Sequence, residues 1–470
     1  MTETTQSGTA RIVRDEWGAA HITASTQAEA YFGVGWCQAH DDPRTLVNRL
    51  LTAGGELASV HGEPGITSDL VAAQWCHVAE SRAGFERLEP GARAATQAWA
   101  DGINAFLDEH PDHLDGVTVR AVPWHAISVS RQMLWWYSWI DAVQAMRATG
   151  VEPDLLVERG ESPNWASNQV AVAPSRTRDG HAMLLSDIHT GPDRKFEHTL
   201  RLIEAGGALT EQDWIDMALD EFWIDVPPWQ AALRGLPFHV VDGRDLANAI
   251  DVLVRFDGQA HAESGAAHLW LRWRERLAQA HVAVDDLVDL QTTVLAGGPL
   301  TEPQAELVID HLRAAVDEIQ GRHGQLDVPL GEVFRAAPKP FDLPIGGIAY
   351  AAWPPRFAWD SEGVVAPLRV MFRSPPDDDG RRVATHGGWN MIVTVLSDPI
   401  RSWSAILPGQ HADPESPHAG DRLTLLSQRR VRPTWFDPTE LAGHTVSTQD
   451  VPVALSGLHE EPRRRSTPHP

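Results

Sequence analysis

Apolar positions along this chain change period several times, and the changes divide it into blocks. Residues 11–24 predict two short strands around Asp15-Glu16-Trp17-Gly18, with Gly18 permitting the turn. Thr26 is placed to cap a helix through Ala28, Tyr31 and Phe32 to about His40. Asp42-Pro43 restarts a helix, Asp at the N-cap and Pro at the first helical position. Leu46, Leu50 and Leu51 share one of its faces, and Gly54-Gly55 ends it. After Pro90, the residues Ala95, Trp99, Ile103 and Phe106 recur at helical spacing. A further helix over 129–147 carries Trp135, Trp136, Tyr137 and Trp139.

Two short apolar runs follow mid-chain. One starts at Ser167-Asn168 and runs to Pro174; the other runs from Met183 to His189. The polar turn Ser175 to His181 joins them as a strand pair. From about 196 to 320 the pattern is helical. Thr210 to Asp213 reads as a capping box before Trp214, Ile215, Met217 and Leu219. Further helices fit 244–256, 262–280, 284–295 and 303–320, the last capped by Thr301 or Glu302. From about 340 loops and strands return, at 367–372, 389–396 and 402–407, followed by a rigid Pro/Gly loop from Pro408 to His418. The tail 458–470, with Arg463, Arg464 and Arg465, reads as disordered. The order predicts an α+β layered fold. An N-terminal segment (residues 1–166) and a second segment (residues 167–457) intertwine in one globular unit, and the tail follows.

Composition narrows the partners. A net charge of -25 argues against nucleic acid and anionic membranes, which reward basic surface. The first residues have neither the basic nor the apolar stretch of a secretory signal, and no run has the length of a membrane span. Cys37 and Cys76 read as free thiols in a reducing compartment, so the expected location is cytoplasmic. No Cys/His spacing resembles a zinc site, and neither a metal nor a cofactor is expected.

Four stretches together resemble the penicillin acylase (penicillin amidase) family of N-terminal-nucleophile (Ntn) hydrolases, which includes acyl-homoserine-lactone and cephalosporin acylases. Arg14-Asp15-Glu16-Trp17-Gly18-Ala19-Ala20-His21-Ile22 is similar to the family's opening Arg-Asp-x-x-Gly-x-Pro-His-Ile, with Ala20 in place of Pro. Gly33 to Asp41 is similar to its Gly-Tyr-x-x-Ala-Gln-Asp helix, with Asp42 where relatives carry Arg. Ser167-Asn168, Val172 to Thr177 and Ser186-Asp187-Ile188-His189 resemble its nucleophile strands. Leu396-Ser397-Asp398-Pro399, Leu407-Pro408-Gly409-Gln410 and Ser416-Pro417-His418 resemble its C-terminal signature.

The resemblance implies an αββα sandwich with an attached, largely helical region. It also implies a zymogen that cuts itself between Ala166 and Ser167. Ser167 is then nucleophile and, through its freed α-amino group, base; no cofactor is needed. A serine hydroxyl needs a base to take its proton. An α-amino group with a pKa of about 7.7–8 is substantially neutral near neutral pH and suits that role. Asn168 and His189 are given supporting roles, and Trp135, Trp136 and Trp139 are candidates for the wall of an acyl pocket.

The chain also departs from the family. A long β-rich stretch follows the nucleophile strands in relatives and supplies oxyanion donors and much of the acyl pocket; here Thr190 to Arg194 lead directly into the helical pattern Phe196 to Ile203. Losing one oxyanion donor costs roughly 10²–10³ in rate. Missing strands also expose a sheet edge, which another segment, the plentiful tryptophans, or a homo- or hetero-oligomeric partner would cover.

The reading that follows is an Ntn-type amidohydrolase for an N-acyl or amide-containing small molecule, in antibiotic or other specialised-metabolite biosynthesis in a bacterium. Two alternatives stay open: a scaffold or partner subunit that is not self-processed, and a repurposed non-hydrolytic enzyme such as a cyclase, in which Asp15, His21 and His189 are the groups to test.

Overall fold

Strand β1 (Thr5–Asp15) is the middle of a three-stranded antiparallel sheet that joins the two ends of the chain. On one side it pairs with β2 (Ala20–Thr23) through the turn at Gly18, and on the other with β13 (Thr445–Leu455). The computed structural model describes residues 5–148, 167–188, 207–352 and 364–456, apart from 115, 118, 238–240, 338 and 389. The predicted helix at 196–203 and the tail 458–470 lie outside the described residues.

The predicted N-terminal hairpin and first helices form. Gly18 sits at φ +70, in the left-handed region that the turn requires. Helix Gln27–Asp41 starts with a capping box from Thr26 and Glu29, and helix Pro43–Gly54 starts on Asp42 and ends at Gly55. Ala10 and Ile12 of β1, with Val451 and Val453 of β13, bury against Phe32 and Trp36 of the first helix and Ile103 and Phe106 of helix Pro90–Glu109. These two helices meet at Gly35 and Gly102, where a Cβ would collide with the Trp99 and Phe32 carbonyl oxygens. Helices Glu63–Gln74 and His77–Glu86 are not predicted by the sequence pattern. The apolar residues Ile66 and Leu70 are exposed, so no core-facing stripe announces the first of them. The tryptophan-rich helix spans Trp124–Ala148.

The central runs form a hairpin, β3 (Ser167–Val172) and β4 (Met183–Ile188). It joins β10 (Asn390–Val395), β11 (Arg401–Ile406) and β12 (Arg432–Thr434) in an antiparallel sheet of order β12-β11-β10-β4-β3. One face buries Val172, Met183, Leu185, Met391, Val393 and Val395 on Trp214, Ile215 and Met217 of helix Glu211–Ala218. The other face carries Leu184, half-buried Thr394, and Ser402 and Ser404, which bond to Thr394 and Thr434 at 3.1 Å each.

Helices Val226–Arg234, Arg244–Arg255, Gly265–Ala278, Val284–Leu295 and Glu302–His323 make a separate core. Trp223, Trp229, Trp270 and Trp273 are fully buried in it. Their indole N–H groups are satisfied there: Trp270 donates to Tyr350 Oη at 3.0 Å and Trp229 to Gln291 at 3.0 Å. Short strands flank this block: β5 (Phe334–Arg335) and β8 (Met371–Arg373) on β9 (Arg382–Gly387), and β6 (Tyr350–Ala351) on β7 (Val364–Val365). The strand expected over 367–372 is reduced and shifted to β8, because ahead of it the Arg369 N–H donates to the Asp220 carbonyl and the Val370 N–H to the Leu368 carbonyl instead of to a neighbouring strand. The class is α+β, and among the described residues no helix is long and apolar enough to cross a membrane.

Candidate active site

Ser167 is the first residue of β3, opposite Ile188 of β4. Asn168 lies opposite Asp187, and Asp187 opposite Met391 of β10. Among the described residues β3 has β4 as its one partner strand and forms an edge of the sheet. The hairpin is fixed at its far end. Thr177 Oγ1 donates to the His181 carbonyl at 2.8 Å, and Arg401 of β11 pairs with Asp179 in the turn at 2.8 Å and with Glu211. Ser167 stands at the opposite end, where the described sheet stops.

Of the other predicted site residues, Ala166 and His189 lie outside the described residues. Trp135 is half-buried, its ring 5.9 Å from Trp75 and 6.1 Å from His77. Trp136 and Trp139 are carried on the same helix.

Three of the four recognised stretches meet elsewhere, in a knot of charged groups. Asp15, wholly buried, accepts from the Trp17 and Ala19 backbone N–H groups at 2.9 and 3.0 Å and lies 3.1 Å from His21 Nε2. Burial alone would raise its pKa. The His21 bond, the Trp17 amide, the Arg432 charge 3.6 Å away and the Ala19 amide outweigh burial and hold it below the ordinary carboxylate value. Asp15 and His21 are thereby committed to closing the β1–β2 turn.

Asp41, at the end of its helix, is gripped from three directions. Arg14 approaches to 2.6 Å, His40 Nδ1 to 2.9 Å, and Gln410 Nε2 donates at 2.6 Å. Burial would raise its pKa too, and these partners lower it. His411 brings Nε2 to 3.9 Å from Asp41, and its ring lies 5.4 Å from that of His40. His418 leans over Gly18 and holds Asp421 through Nδ1 at 2.9 Å. Arg422 ties the loop back, donating to Gln410 at 3.0 Å and to the Trp17 carbonyl at 3.4 Å. The ligand atoms of His40, Asp41 and His411 lie within 4.8 Å of one another. The motifs that contain these residues are visible in the sequence, but no local spacing connects position 40 with position 411.

The Penicillin amidase family model matches residues 9–196 and 192–443, two pieces that meet where the sequence passes directly from the nucleophile strands to the helical block. Among curated proteins, the chain is 26% identical over 242 residues to the penicillin acylase 2 proenzyme of Pseudomonas sp. (strain SE83), covering 41% of this chain and 31% of that protein. It is 26% identical over 210 residues to the acyl-homoserine lactone acylase PvdQ of Pseudomonas putida, covering 38% and 27%. The chain thus spans about a third or less of the length of these relatives. Among solved structures it matches a thermostable penicillin G acylase from Alcaligenes faecalis at 17% identity and a TM-score of 0.26, over 34% of this chain and 98% of that one. With the family match extending over most of its length and both sides of Ser167, the chain belongs to the penicillin amidase family.

Proposed function

We propose that this chain is an acylase of the Ntn type, cut before Ser167, which hydrolyses an N-acyl or amide-containing small molecule in a bacterial biosynthetic route, with the family's sandwich around the nucleophile. The observation that carries the reading is the continuous family match over 9–196, within which Ser167 opens β3. Cleavage ahead of the strand's first residue leaves its pairing from Ser167↔Ile188 to Val172↔Met183 intact. The freed amine, through a water, takes the proton of Ser167 Oγ as it attacks the amide carbonyl. The amine product leaves, and water then releases the acid from the acyl-enzyme. Asn168 and His189 support the nucleophile in this scheme.

Intact mass tests it. The expected products are chains of 166 and 304 residues, with Ser167→Ala remaining one chain of 470. A wild-type protein that stays whole for days overturns self-processing.

A further inference from the structure

We propose that His40, Asp41 and His411 form a binding site for one divalent transition-metal ion of the zinc type, a clamp between the N-terminal layer and the loop that leaves the Ser167 sheet. The inference stands apart from the proposed hydrolysis. The donor set is two imidazoles and one carboxylate, the mixture that zinc takes in sites with an open fourth position. His40 Nδ1 lies 2.9 Å from Asp41 Oδ1 and His411 Nε2 3.9 Å from the same oxygen. Two ligands bound at about 2.0–2.1 Å in tetrahedral geometry stand roughly 3.3 Å apart. Of the three donor pairs, His40–Asp41 is near that spacing, His411–Asp41 closes by about half an ångström, and His40–His411, within 4.8 Å, closes by up to about 1.5 Å.

The ligands come from two rigid seats. His40 and Asp41 end a helix pinned to the sheet by Phe32 and Trp36, and the His40 ring stacks on Trp36 at 5.3 Å. His411 is fixed by its own backbone, whose N–H donates to the His418 carbonyl at 3.2 Å. Both imidazoles keep some exposure, 35% and 18% of their side chains, which leaves an entry path.

Arg14 is the built-in competitor. Its guanidinium lies 2.6 Å from Asp41 Oδ1 and 3.3 Å from His40 Nδ1. Through Nη1, Arg14 also donates to the Gly18 carbonyl at 2.8 Å and to Asp41 Oδ2 at 3.3 Å. Metal binding is therefore an exchange of one cation for another on a single carboxylate, and the neighbouring positive charge weakens the site relative to one without it.

The test uses the full chain with Cys76→Ser, which removes the exposed thiol as a rival ligand. After dialysis against a chelator, zinc is titrated calorimetrically and cobalt is followed by its visible ligand-field bands. One ion per chain is expected, with affinity falling at least tenfold in both His40→Ala and His411→Ala. His418→Ala, outside the donor set, should change it less than threefold. Arg14→Gln should bind more tightly. Absence of stoichiometric zinc binding, or equal binding in the two histidine variants and the parent, overturns the proposal. Circular dichroism checks each variant. If either alanine variant unfolds, His40→Gln and His411→Asn keep a polar group in place, and undiminished zinc binding in those overturns it equally.

Discussion

The strand that begins at Ser167 has one neighbouring strand among the described residues, whereas the helix end that carries Asp41 is bonded from three directions. Both regions are recognisable as family stretches. They differ in what the fold needs from them. The hairpin of Ser167 is pinned by Arg401 at its turn, the end away from the serine. The knot of Asp15 and Asp41 is over-determined, each carboxylate holding several donors, and it ties β1, a helix and the 408–418 loop together. On the proposed function, chemistry and cohesion sit on separate polar groups, and substitutions should separate them.

The largest effect expected is Ser167→Ala. Removing a nucleophile that works as one unit with its base costs on the order of 10⁴-fold or more in kcat/KM. Hydrolysis of a panel of acyl p-nitroanilides by purified protein should fall to background. The urea midpoint should move little, because among the described residues Ser167 is the end residue of an edge strand. A variant that retains hydrolysis breaks the assignment of chemistry to this strand.

Asp41→Asn should do the reverse. It leaves Arg14, whose side chain is 12% exposed, without its carboxylate partner, and breaking a buried pair costs about 3–5 kcal/mol. Urea unfolding should show that loss. A change under about 1 kcal/mol would place Arg14 among solvent-screened surface pairs and remove the contrast with Ser167.

Much of this division is legible in the sequence. Elements with a cap and a regular stripe can be read from it: Thr26 and Asp42 start helices, Gly18 turns the first hairpin, and the central runs form β3 and β4. Elements defined by distant pairing cannot. Strand β13 exists by lying against β1, yet its Thr445 to Asp450 half is exposed and polar, without the apolar alternation that marks a half-buried strand. The helix Val226–Arg234 lies inside the stretch read as helical, but it has no side-chain cap to mark where it begins. The proposed nucleophile, Ser167, is marked by the linear motif that its neighbours carry. The meeting of His40 with His411 is not, because the fold alone brings those positions together.

The helical block offers the same contrast at one carboxylate and makes the third effect a function of pH. Glu275, 4% exposed, is held by Arg272 together with Arg373 and Arg382. Burial would raise its pKa, but Arg373, Arg382 and Arg272 overcome that and push it down to about 2 from an ordinary 4.5. The folded state therefore binds this proton less readily than the unfolded one. Its stabilisation is complete above pH 4.5 and is lost as pH falls toward 2, on the order of 3 kcal/mol in all. Stability measured across that window should be flatter in Glu275→Gln, although that variant starts lower. Parallel profiles for the two proteins would remove Glu275 from the acid response.

The smallest effect tests how the knot is delivered. Thr26 Oγ1 accepts from Glu29 N–H at 3.2 Å, and the Glu29 carboxylate accepts bonds from the Ser25 and Thr26 amides at 3.0 Å each. This cap starts the helix whose other end presents His40 and Asp41. Thr26→Ala removes one acceptor from helix donors that have no intrahelical partner, and should cost about 1 kcal/mol. The cap is fourteen residues from His40, about four turns of helix, and burial of Phe32 and Trp36 fixes the helix between them. The loss should therefore appear in the denaturation midpoint and leave zinc affinity unchanged. If Thr26→Ala weakened zinc binding as much as His40→Ala, the knot would owe its geometry to the whole helix rather than to the contacts made at its end.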